Sequence, residues 1–125
     1  MNVLIVNFAL RGLDLESYRQ NCEQIAPIFA ELPGLISKTW LANPETNTYG
    51  GLYIWRDREA LENYLASDIF KSLEANPYLT NITTRQFSIL DGPTRLTRGA
   101  VDDIAPIAAY AYETRWLQGG FPGRP

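Results

Sequence analysis

Residues 3–10, VLIVNFAL, form an almost unbroken apolar run rich in branched side chains, the pattern of a strand covered on both faces. Asn7 is its one interruption. A chain with such a strand must supply cover on two sides, and the next segment supplies the first. Asp14 is placed to cap a helix in which Tyr18, Cys22, Ile25, Phe29 and Leu32 recur at spacings of four, three, four and three, one helical face. Pro27 removes a backbone donor inside that pattern, which predicts a kink, and Pro33-Gly34 closes the helix.

LISKTWLA at 35–42 reads as a second strand, Asn43-Pro44-Glu45-Thr46-Asn47 as a turn, and GGLYIW at 50–55 as a third strand. Asp57 is placed to cap a second helix through Ala66 with Leu61, Tyr64 and Leu65 buried; Ser67 or Asp68 restarts it, and Asn76-Pro77 stops it. ITTRQFSIL at 82–90 is β-rich and precedes an Asp91-Gly92-Pro93 turn. The order β-α-β-β-α-β predicts an α+β, ferredoxin-like domain over residues 1–93, its antiparallel sheet covered by both helices on one face. The other face needs a second cover, and a second copy of the chain is the economical one.

Residues 94–125 form a C-terminal extension with a predicted helix from Ile104 to Leu117, a stretch in which YAYETRW also alternates like a strand. Ile104, Ile107, Tyr110, Tyr112, Trp116, Leu117 and Phe121 do not describe a solvated linker, so the extension is expected to pack on the body or on the partner subunit.

One core suffices for 125 residues. A net charge of −3, with scattered basic residues, gives no electrostatic footprint for nucleic acid. Cys22 is the single cysteine and excludes an internal disulfide. With no secretory pattern and no membrane-length apolar run, the expectation is a soluble cytoplasmic protein without membrane contact. The sequence contains no histidine, which removes histidine-ligated haem, His-containing zinc sites and His-dependent triads. No metal site is expected, and chemistry falls to carboxylates, tyrosines, amides, arginines and lysines.

Tyr49, Gly51, Tyr53 and Trp55 share one face of the third strand by its period of two. With Trp40 they either wall a pocket for a flat phenolic or polycyclic substrate or fill a dimer core. Asn7 needs a partner for its amide, whether a substrate oxygen, a backbone group or a buried water. Arg85 shares a parity with Phe87 and Ile89, so it is expected to be a buried or half-buried cation facing a carboxylate or a substrate. Lys38 shares a parity with Trp40 and reads as structural, as do Asp57 and the Glu59-Glu62 pair. Cys22, on the apolar stripe, reads as a small hydrophobe.

Residues 32–65, LPGLISKTWLANPETNTYGGLYIWRDREALENYL, resemble the YdhR-type monooxygenases, a branch of the dimeric α+β barrel superfamily that includes antibiotic-biosynthesis monooxygenases. Pro33-Gly34, Lys38-x-Trp40, Gly50-Gly51-x-Tyr53, Trp55 with Asp57, and Tyr64-Leu65 carry the resemblance. Pro27 and Phe87 agree with it, and it spans residues 3–98. It implies a homodimer whose two sheets close a barrel, with a pocket between sheet and helices or near the dimer seam. It further implies a monooxygenase without metal, haem or flavin, whose phenolic or polycyclic substrate loses a proton and passes an electron to O2. Asn7, Tyr53 and Arg85 are the expected catalytic residues; Trp40, Tyr49, Trp55 and Phe87 are the expected substrate-binding ones. A cofactor-free isomerase or cyclase of a lactone or polyketide, and a non-catalytic small-molecule-binding dimer, are the alternatives.

Overall fold

The computed structural model describes residues 1–101. Met1–Ser88 make one compact unit holding β1 (Asn2–Leu10), α1 (Leu15–Ala30), β2 (Leu35–Asn43), β3 (Thr48–Trp55), α2 (Arg58–Leu65), α3 (Asp68–Ala75) and β4 (Leu79–Ser88). The strands form one antiparallel sheet in the order β2-β3-β1-β4. This is the expected ferredoxin-like α+β fold, its second helix divided in two. Beyond the unit, α4 (Asp91–Leu96) occupies the predicted Asp91-Gly92-Pro93 turn. Pro93 lies in its first turn, where a missing N–H breaks no helical bond. The expected domain boundary at 93 falls within α4, and the predicted Ile104–Leu117 helix lies outside the described residues.

α1, α2 and α3 each start where a side chain accepts an orphan backbone N–H. Asp14 takes the Ser17 amide at 2.7 Å, Asp57 the Ala60 amide at 2.9 Å and Ser67 the Phe70 amide at 3.3 Å. In the β2–β3 connection Asn47 adopts a left-handed conformation (φ 49°). Its Nδ2 donates to the Leu10 carbonyl at 3.0 Å, while Oδ1 accepts the Leu10 amide at 3.4 Å, tying the hairpin to the end of β1.

The core lies on one sheet face. Leu4, Val6, Phe8 and Leu10 of β1, with Tyr49, Tyr53 and Trp55 of β3, pack against Phe29, Leu61, Tyr64 and Phe70 of the three helices. By alternation, Val3, Ile5, Asn7, Leu52 and Ile54 point the other way, and no helix of residues 1–88 packs there. β1 is therefore fully buried on one face and only half-buried on the other, where continuous burial was expected. Arg85 is likewise exposed rather than buried, because β4 is an edge strand and Arg85 pairs with Ile5 on the face opposite α1, α2 and α3. Among the described residues no helix is long and apolar enough to cross a membrane.

Candidate active site

A cavity of about 90 Å³ lies between α1 and the covered sheet face. Tyr18, Cys22 and Phe29 wall it from α1, Lys38 and Trp40 from β2, and Tyr53 from β3. The strand registers explain the gathering: Lys38 stands opposite Tyr53, and Trp40 opposite Gly51, so the Lys38 and Trp40 side chains share the aromatic face of β3. Phe29 and Trp40 meet edge to face at 5.4 Å, and Tyr53 stacks on Trp55 at 6.0 Å and 7°.

Lys38 is the residue the sequence reading undervalued. Its Nζ lies 3.5 Å from the Phe29 ring centre, 3.4 Å from that of Trp40 and 4.7 Å from that of Tyr53. No carboxylate pairs with it among the described residues. Burial holds the amine down to about 7, with the Cys22 thiol pulling weakly the other way. The ring faces also favour the cation, by about 0.5–2 kcal/mol each. Gly51 makes the position accessible: a Cβ there would stand 2.8 Å from Lys38 Cε and 3.1 Å from Tyr53 Cε1. The signal available in the sequence was the shared parity of Lys38 and Trp40 facing a glycine.

Tyr53 reaches past the cavity to Tyr64, hydroxyl to hydroxyl at 3.0 Å. Burial pushes the pKa of Tyr53 up, and that of Tyr64 up to about 12. Burial also raises Tyr18 and Cys22, so at neutral pH these groups are neutral. Tyr49 sits on the same face, 5.2 Å from the Tyr18 ring. Trp55 lines a different, wider cleft of about 450 Å³ with the charged Arg56, Asp57 and Glu59 at the start of α2.

The remaining expected residues stand apart from the cavity. Asn7 Nδ2 donates to the Tyr49 carbonyl at 3.3 Å, the backbone partner open to it from the start. Arg85 and Phe87 pair with Ile5 and Val3 and so lie on the opposite sheet face, Phe87 49% exposed. The structure thus brings Trp40 and Tyr53 together with Lys38, and keeps Asn7, Arg85 and Phe87 behind the sheet. Among the described residues no three His, Cys, Asp or Glu side chains are gathered as metal ligands.

Residues 3–100 match the family described as "Putative mono-oxygenase ydhR". The chain belongs to this family. Among solved structures, the ydhR-family chain is similar to SnoaB, a cofactor-independent oxygenase from Streptomyces nogalater, with 26% identity and a TM-score of 0.55 over 70% of this chain and 92% of that one. The heme-degrader MhuD from Mycobacterium tuberculosis shares the fold at 16% identity and TM-score 0.59, over 72% and 96% of the two chains. A protein of unknown function from Nitrosomonas europaea shares it at 16% identity and TM-score 0.62, over 84% and 95%. No curated protein matches the sequence.

Proposed function

We propose that this mono-oxygenase-family chain oxidises a phenolic or polycyclic aromatic molecule with O2 and without metal, haem or flavin, as a homodimer joined through the sheet faces opposite the helices of residues 1–88. The observation that carries the reading is the cavity walled by Phe29, Trp40 and Tyr53 on the covered side of the sheet. Its ring faces stack a flat substrate and exclude water from a reactive intermediate. The likeness to SnoaB, a cofactor-independent oxygenase, supports the same chemistry.

The reaction needs little from the protein beyond binding, orientation and charge control. The bound phenol loses its proton, and the phenolate gives one electron to O2, leaving a substrate radical and superoxide. Their recombination forms a carbon–oxygen bond. Loss of that carbon's hydrogen as a proton, with scission of the O–O bond, then leaves one oxygen as a carbonyl, and the other departs as water carrying that proton and the phenolic one. Tyr53, neutral and bonded to Tyr64, is a donor in such a site rather than a base.

Size favours a phenolic ring as the first occupant. A cavity of about 90 Å³ is smaller than the about 150 Å³ that admits benzene in a rigid apolar void, so entry displaces a wall, and a polycycle displaces more of it. Oxygen uptake with a panel of hydroquinones and anthrone-like phenols tests the reading. Consumption of O2 matched by quinone formation is expected. Turnover of the same substrate under strict anaerobiosis would instead assign the site to isomerase or cyclase chemistry.

A further inference from the structure

Phe29, Lys38 and Trp40 line two spaces at once: the cavity under α1 and an open groove of about 300 Å³ outside it, bordered by Ala26, Ala30, Leu35, Ile36 and Ser37. These three side chains form the partition between the groove and the aromatic cavity. Two of its members are rings packed edge to face; the third is a flexible amine that no carboxylate anchors among the described residues. Lys38 Nζ rests on the ring faces where an incoming aromatic would stack. A ring entering from the groove must push the amine off them, and the displaced amine then stands beside that ring's substituents.

We propose that Lys38 takes the phenolic proton of the incoming substrate and holds the resulting oxyanion at this partition, making it a catalytic residue of the ydhR-family site. The proposal rests on the aromatic-oxidation reading and names the group that charges the substrate. The proton passes from the phenol oxygen to the Lys38 amine, so a neutral pair becomes an ammonium–phenolate pair with no change in net charge.

The surroundings fit that transfer. The titratable groups facing Lys38 are Tyr18 and Cys22 from α1 and Tyr53 from β3, while Leu73 and Asn76 near α3 and Leu79 of β4 bring none. Burial raises the pKa of all three facing groups, so Lys38 is the one lining group that accepts a proton near neutral pH. A positioned acceptor of this kind speeds a step by about 10²–10⁴-fold.

4-Nitrophenol is the probe, because only its ionised form absorbs in the visible, and its methyl ether, 4-nitroanisole, is the control that cannot ionise. At about pH 7, where the amine and the free phenol are each about half neutral, the wild type should show a stronger phenolate band on binding than the free phenol shows at the same pH. Lys38→Met should lower phenolate affinity by about 10-fold or more while binding the ether unchanged. Gly51→Ala, which crowds Lys38 Cε but keeps the amine, should give an intermediate band. Equal phenolate bands in wild type and Lys38→Met overturn the proposal, and so does parallel loss of the ether, which would make Lys38 a packing residue. Binding of neither probe by the wild type also overturns it, since the cavity is then not the site. Oxygen enters none of these readouts, so a failed oxidation assay and a failed Lys38 assignment are told apart.

Discussion

The hydroxyls of Tyr53 and Tyr64 lie 3.0 Å apart in the buried aromatic cluster, joining the middle of β3 to α2. The rings themselves are 5.2 Å apart, and each also contacts Phe29 and Trp55. Either hydroxyl alone would be a polar group buried without its partner. Tyr53→Phe or Tyr64→Phe should therefore each destabilise by about 1–2 kcal/mol, and the double variant by clearly less than the sum. Urea unfolding of the three variants measures this; strict additivity would show that the contact contributes nothing.

Gly50 and Gly51 are adjacent and should respond differently to alanine. Gly50 has φ +146°, and a Cβ there would stand 1.8 Å from the Val6 carbonyl oxygen, which is backbone and cannot move without breaking the β1–β3 pairing. Gly50→Ala should cost about 3 kcal/mol or more. Gly51→Ala meets mainly the flexible Lys38 stem and should cost about 1 kcal/mol. Thermal melts that rank the two in the reverse order would refute this reading of the strand.

Lys38 should make stability depend on pH. Its folded pKa is near 7 against about 10.4 in an unfolded chain. Between those values the unfolded state binds more protons, so wild-type stability rises with pH across that window. The full shift sets a ceiling of about 4–5 kcal/mol, lowered by water reaching the amine. Lys38→Met removes the penalty, so it should melt above the wild type at about pH 6 and converge with it toward about pH 10. A pH-independent difference in melting temperature would contradict this.

The sheet face opposite α1, α2 and α3 carries the cross-strand pairs Val3–Ile54 and Ile5–Leu52, with Phe87 beside Val3. Such an apolar patch is expected to pair two chains face to face. Sedimentation at micromolar concentration should give a dimer, and Ile5→Lys should shift it toward monomer by about 10-fold or more in Kd, since a charge is placed in the seam. An unchanged dimer in Ile5→Lys would move the interface elsewhere.

Local patterns in the sequence determined the elements of this protein. The period of two in GGLYIW put Tyr53 and Trp55 on one face, the helical period put Phe29 with Cys22 and Tyr18, and Asp14, Asp57 and Ser67 marked the helix starts where their side chains accept backbone amides. Each signal depends only on neighbours along the chain, so a single sequence contains it. β4 was misplaced by three residues at its start because Leu79 and Thr80 join the sheet only through pairing with Leu10 and Ala9.

Tertiary structure alone decided which faces coincide. Alternation gives every strand two faces without saying which face of β1 or β4 lies beside the aromatic face of β3; pairing register across some forty residues settles that. Register placed Lys38 opposite Tyr53 and under Phe29, and it turned Asn7, Arg85 and Phe87 to the other side of the sheet. A lysine that read as structural thereby became the amine on three rings. Two of those rings, Phe29 of α1 and Tyr53 of β3, belong to elements that its own stretch of sequence does not contain.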